Sequence, residues 1–442
     1  MREGETMSAP RLGGMRRQVI AWSLYDFANS AFTTLVVTFI YASYFVQGIA
    51  LDENEGTRQW SLAVTATAIV VALASPYLGA MADRGGRRKR MLFIATLVAI
   101  LGSIGLFFPS AGHVWVALTT FAIANIAFEI ANVFYNAYLP DIAPQERIGR
   151  ISGYGWAAGY VGGLVCLVVA LVGFVQPEVP WFGLSKTGGQ HIRATNLLVA
   201  AWYAVFSIPL FLLVKDRPGP RMTTSDSLWV AATRQLASTF REIRRYRQVF
   251  RLLLARLIYN DGLVTIFAFG GIYAKVTFGF SFSEVIIFGI VLNVAAGIGA
   301  FSFGFLDDLL GGKRTILISL VGLFLASCLA VFAQSKALFW LAGTLVGIMI
   351  GPNQSASRSL LGRFVPPDKE NEFYGFYAFS GKATAFLGPL FLGQLTVMFQ
   401  SQRAGIGVVA VFFLVGGVLL LQVDEAEGVA SAGRVEAPPS AG

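Results

Sequence analysis

The chain has 442 residues, of which 55% are apolar and only 13% charged, with a mean hydropathy of +0.64; a soluble domain carries about a quarter charged residues. Apolar runs of roughly 18 to 25 residues recur along it, each long enough to cross a bilayer as a helix. That excludes a soluble enzyme, and also a β-barrel, whose strands are short and alternating. The net charge of +9 suggests a membrane face rather than nucleic acid, because the bases cluster in alternate loops, the pattern that marks the cytoplasmic side.

In chain order, a basic N-terminus (1–18, with Arg11, Arg16 and Arg17) precedes span one at about 19–46. Spans two to four are expected at about 60–82, 91–109 and 114–138, span five from near Ser152, and span six at about 195–214. Residues 19–214 thus form a first six-helix bundle. The stretch 215–251 is the longest connection. Its Leu228, Ala232, Leu236, Phe240 and Ile243 recur at helical spacing among arginines, as expected of an amphipathic helix lying on the inner membrane surface. Spans seven to twelve follow at about 252–278, 284–306, 315–333, 337–360, 374–399 and 404–422, a second bundle over 252–422. The tail 423–442 is small, polar and Pro-containing, and is expected to be disordered. The expected fold is all-α, with twelve transmembrane helices in two six-helix bundles, both termini cytoplasmic and the cell (inner) membrane as its place.

The two halves repeat one motif. Gly79-Ala-Met-Ala-Asp83-Arg84-Gly-Gly86-Arg87-Arg88 follows span two, and Gly304-Phe-Leu-Asp-Asp308-Leu-Leu-Gly311-Gly-Lys313-Arg314 follows span eight. Asp83 is placed to accept backbone N–H bonds at a facing helix N-terminus, where the macrodipole favours an anion. Arg87 and Arg88 are placed to pair with Asp141 or Glu146. Such contacts would form a two-state gate, formed only while that side is closed. Leu309 stands where the first turn has Arg84, so the second turn is expected to hold more weakly.

Ionisable groups inside spans are functional candidates, because inserting them is costly. Asn125, Glu129, Asn132 and Asn136 of span four share one helical face, which must line a cavity or another helix. Glu129 is the candidate for a proton-coupling carboxylate. Asp26 and Asn29 in span one, and Tyr259, Asn260 and Asp261 in span seven, are substrate or proton candidates; the competing reading is a buried charge network with Arg256 or Lys382. In span ten, Gly351-Pro352 weakens the helix ahead of Gln354 and Arg358, which share a face. Two cysteines, two histidines and the absence of a Walker A sequence leave no basis for a disulfide framework, a metal site, another cofactor or ATP-driven pumping.

The cationic turn and its echo resemble the loops after the second and eighth helices of major facilitator superfamily transporters. Trp22-Ser-Leu-Tyr25-Asp26-Phe-Ala-Asn29-Ser30, Tyr259-Asn260-Asp261-Gly262 and Glu372-Phe-Tyr374-Gly375-Phe-Tyr377 resemble the branch containing the autophagy-related vacuolar amino-acid effluxer and its bacterial relatives. The resemblance implies alternating access by two rocking bundles, with spans one, four, seven and ten lining the cavity. The expected function is secondary active or facilitative transport of small polar solutes, amino acids or related metabolites, with protons as a coupling ion. A monomer in the lipid bilayer suffices for this, and no nucleic-acid partner is expected. The alternative is a transporter-like sensor or scaffold without net transport, with 215–251 as its output element.

Overall fold

In lipid every backbone N–H and C=O must be paired within the protein, so long apolar runs fold as helices. The computed structural model describes residues 12–216, 228–242 and 244–433, and no strand occurs among them. Nine of its helices are long and apolar enough to cross a membrane. Three more complete the set: Arg88–Gly105, which opens on three bases, Lys336–Phe364, and span eleven, which is broken into Glu370–Lys382 and Leu387–Met398. Side chains such as Leu73, Leu101, Val168, Leu212, Ile298 and Leu325 point outward and are exposed around the bundle, as a lipid-facing belt requires.

Span one begins as Leu12–Ala31 and widens into π-helical turns at Phe32–Phe39 and Phe45–Ile49. Spans two, four, five and six are Glu53–Gly85, Val114–Asn136, Ile148–Ala170 and Thr195–Leu213. Spans seven, eight, nine and twelve are Arg247–Phe278, Phe282–Leu310, Gly312–Phe332 and Gln402–Leu421. Within the first bundle span one packs on five and six, and span four on two and three; within the second, span seven packs on twelve and span ten on eight and nine.

Two crossings join the bundles and are related by the internal repeat: span two against eleven, and span five against eight. Both rely on glycine. A Cβ at Gly79 or Gly375 would strike the backbone of Asn371 or Ser75, and one at Gly153 or Gly304 would strike that of Ala300 or Arg150. Small residues at these points let the backbones touch.

The linker helix, Leu228–Arg241, packs against the protein along one side. Ala232, Gln235 and Thr239 are buried where it lies along span two and bonds to the start of span eleven, while Trp229 and Phe240 are exposed; Ile243 lies outside the described residues. The tail is not irregular throughout. Asp424 caps a helix, Glu425–Ala432, whose Gly428 abuts the Phe364 ring. Glu425 accepts from backbone amides of the bundle and Glu427 from the Arg247 and Gln248 side chains, which holds the helix there. Residues 434–442 lie outside the described set.

Candidate functional site

The short turns after spans two and eight, with the chain ends leaving spans four, six, ten and twelve, gather on one face of the molecule, called here the basic face. In four of the helices that start there, an acid from elsewhere in the chain caps the first backbone N–H groups. Asp83 accepts from the amides of Asn371 (3.1 Å) and Glu372 (2.8 Å) and from the Asn371 side chain (2.7 Å), at the start of span eleven. Asp308 accepts from the amides of Gly149 (2.8 Å) and Arg150 (3.3 Å), at the start of span five. Asp216 accepts from the Lys89 amide (3.1 Å) at span three. Glu425 accepts from those of Gly312 (2.9 Å) and Lys313 (3.0 Å) at span nine. None of these four helices has a side-chain cap from its own N-cap residue, so these carboxylates sit where the N–H groups and the dipole both favour an anion.

Arginines connect the caps. Arg88 pairs with Asp141 (2.5 Å) and Asp216 (3.5 Å) over the Tyr138 ring. Arg363 pairs with Asp307 (2.6 Å) and reaches Asp308 (3.8 Å), while Arg150 also pairs with Asp308. Arg84 donates to Gln235 of the linker helix (2.6 Å), and Gln235 donates to Glu372 of span eleven (2.6 Å). Gly86, with φ of +54°, closes the first turn, and Arg87 is exposed beside it. The second turn is held by ion pairs as well. Leu309 is exposed, but Asp307, Arg150 and Arg363 supply from neighbouring positions what an arginine there would have supplied.

One layer deeper, Arg358 of span ten lies buried across the joint. Its guanidinium donates to Asp26 (3.0 Å) of span one, Asn136 (3.1 Å) of span four, and the Ser152 hydroxyl (3.0 Å) and carbonyl (2.7 Å) of span five. The Trp22, Trp156 and Tyr135 rings surround it at 4.7, 5.5 and 5.9 Å. Further along span four, Asn132 accepts from Asn29 (2.9 Å), and Glu129 pairs with Lys382 of span eleven (2.7 Å). Both members of that pair are partly exposed, 20% and 32% by side chain, whereas Arg358 is 2% exposed. Asn125 is bonded to Thr67 of span two (2.9 Å) within its own bundle.

The second bundle contributes a different set. Tyr259 shares a 2.7 Å bond with Ser357, and Asn260 donates to the Gly381 carbonyl (2.9 Å). Arg256 stacks at 3.6 Å on Tyr377 and donates to its carbonyl (2.9 Å). Asp261 is buried beside the break in span eleven, and Gln354 is half-buried on span ten. The structure thus unites Asp26, Asn136, Glu129, Arg358 and Lys382 between the bundles, and leaves Asn29, Asn132, Asn125, Tyr259, Asn260 and Asp261 within single ones. Neither Arg256 nor Lys382 neutralises Asp26; Arg358 does. Ser152, Trp156, Asp307, Arg363, Gln235 and Glu372 were not anticipated. Of these, Asp307 carried a signal as the neighbour of Asp308, and Glu372 as the first residue of the segment that resembles the family.

Twelve helices in two bundles that meet through polar side chains define a major facilitator transporter. Solved structures with this fold include the proton:xylose symporter XylE bound to 6-bromo-6-deoxy-D-glucose (TM-score 0.74, 14% identity, 94% of this chain and 97% of that one). The Escherichia coli fucose:proton symporter FucP is similar (TM-score 0.71, 14% identity, 93% and 99%). The chain belongs to the vacuole effluxer Atg22-like family, whose model matches residues 58–150 and 143–433. It is 26% identical to the Bacillus subtilis uncharacterized MFS-type transporter YxiO over 92% of this chain and 95% of that protein. It is 28% identical to autophagy-related protein 22-1 of Penicillium rubens over 63% of this chain, a match covering 50% of that longer protein. These relatives make it a multi-pass membrane transporter rather than an enzyme.

Proposed function

We propose that the protein is a secondary transporter of small zwitterionic solutes, amino acids foremost, working by alternating access. The observation that carries this reading is the Glu129–Lys382 pair. It joins the two bundles between span four and span eleven, deeper than the basic-face gate, and both its members retain exposure. A carboxylate and an ammonium 2.7 Å apart form a site that a solute with both charges can open by exchange, its ammonium on Glu129 and its carboxylate on Lys382. Neither charge is then left buried and alone, which costs several kcal/mol. The family's vacuole effluxer description supports the amino-acid reading. This pairing also changes the reading of Glu129: a carboxylate already neutralised by Lys382 serves substrate exchange better than proton coupling.

The basic face carries the gate and is assigned to the cytoplasm by its positive charge, with the cell membrane as the location and a monomer as the working unit. The linker helix is tied to both bundles, which favours a transport role for it over an output element.

The test is thermal unfolding and counterflow in proteoliposomes with a panel of amino acids, sugars and organic anions. A ligand bound only to the folded state raises the melting temperature by mass action. Amino acids are expected to stabilise and to be exchanged. Glu129→Gln and Lys382→Met are each expected to reduce exchange about tenfold or more, the loss for ~1.4 kcal/mol of binding. Sugars stabilising instead, with both variants inert, would remove the proposal.

A further inference from the structure

Asp261 of span seven is the one acid in the polar core that the mechanism above does not use, and its surroundings are unusual. It is 1% exposed; the Thr384 hydroxyl lies beside its carboxylate, and its Oδ2 is buried without a hydrogen-bond partner. No ion pair reaches it among the described residues, and the cations of the neighbouring elements are engaged elsewhere. On its own helix Arg256 is held by Tyr377 and Ser380 (3.0 Å). On span eleven Lys382 is held by Glu129, and on span ten Arg358 by Asp26. The titratable hydroxyls of this region are Tyr259, bonded to Ser357, and Tyr377, under Arg256. The second half of span eleven has no titratable side chain, and span twelve has only Arg403 at its far end, bonded to the Val331 carbonyl.

The carboxylate lies where span eleven is interrupted, between Lys382 and Leu387. Asn260 next to it holds the Gly381 carbonyl, and the Thr384 hydroxyl of the break donates to the Leu257 carbonyl (3.2 Å). Gly388, just past the break, is pressed against Thr265, whose hydroxyl donates to the Asp261 carbonyl (2.7 Å). An ionised carboxylate in such a place, with no counter-charge and an unpartnered oxygen, is costly, and intramembrane acids of this kind mark ion pathways.

We propose that Asp261 is a proton-binding site, occupied in the conformation described here. One proton adds to the carboxylate at Oδ2 to give the neutral acid. It leaves again to water when the broken segment of span eleven moves and wets the pocket. The site deepens the transport reading by naming the coupling ion, and it rests on that reading only for its place in a cycle. The test needs no substrate, so its failure is separable from failure of the solute assignment.

The experiment is infrared difference spectroscopy of the full-length protein in lipid vesicles, acid minus alkaline, in potassium buffer and again with sodium. The expected result is a protonated-carboxyl band that titrates with pH, vanishes in Asp261→Asn, persists in Glu129→Gln and is indifferent to sodium. Asp261→Asn is expected to melt within a few degrees of the parent, since an amide resembles the neutral acid in shape. An unchanged band in Asp261→Asn would overturn the proposal. So would displacement of the band by sodium at fixed pH, which would make the site a metal-cation site. Failure of Asp261→Asn to fold would also overturn it, because the negative charge would then be needed.

Discussion

Arg358 shows how one side chain can join three helices of the opposite bundle. A guanidinium offers a planar fork of donors and stacks on rings, whereas an ammonium is a compact point charge. Here the fork is used on Asp26, Asn136 and Ser152, and the faces on Trp22 and Trp156. Arg358→Lys is therefore expected to fold but to lose most of the closure of the basic face. Asp26→Asn leaves the buried cation uncompensated, a loss of about 3–5 kcal/mol when one partner of a buried pair is removed. Its purified form should melt well below the parent, and an unchanged melting temperature would refute the assignment. Asp26, Asn136 and Arg358 were each conspicuous as polar residues inside apolar runs, but Asp26 and Arg358 are 332 positions apart. No local pattern could pair them. Ser152 and Trp156 carried no signal, since a serine and an indole are ordinary on any packed helix.

At the scale of helices, the basic face is held by capping in trans. Spans five and eleven have Arg147 and Lys369 at their N-caps, with no side-chain cap of their own. Asp308 and Asp83 of the opposite bundle occupy the equivalent amides in each. Replacing a cap by alanine costs about 0.5–2 kcal/mol, and 1–2 kcal/mol is a factor of roughly 5–30 in a two-state ratio. Asp83→Ala and Asp308→Ala should therefore each shift the gate toward open to a similar degree. Alkylation of a cysteine introduced at Ser75 would report the shift. A much smaller effect of Asp308→Ala would restore the expectation drawn from Leu309. The glycines and aspartates of the two turns were visible as a repeat, because a capping carboxylate followed by a tight turn needs those residue types. The role of Asp307 and Arg363 was not, because they act across space where the turn sequence has leucine. The linker was expected as an amphipathic helix; the bonds it makes with the two bundles were not. Gln235 and Thr239 read as ordinary polar residues, and only the fold turns them toward Arg84, Glu372 and Lys369.

For the molecule as a whole, hydropathy and the repeated turn made twelve spans in two related bundles legible, since the membrane dictates helix length and the duplication dictates the plan. The mutual orientation of the bundles was not legible, because it depends on backbone contacts at Gly79, Gly375, Gly153 and Gly304 that no composition reports. Those contacts are all made in the state described here. A side chain at Gly153 would meet the Ala300 carbonyl, so Gly153→Leu should wedge spans five and eight apart. Overpacking of this kind costs about 1–3 kcal/mol. The variant should show the Ser75 reporter position permanently reactive and net flux abolished. The short helix after span twelve has a practical consequence for truncation. Glu425 does for span nine what Asp216 does for span three, so it completes the second repeat. Shortening the protein at the last apolar residue would look harmless on a hydropathy plot. It would uncap span nine and remove the acid that faces Arg363 at 3.9 Å, so the shortest faithful version runs through Gly433.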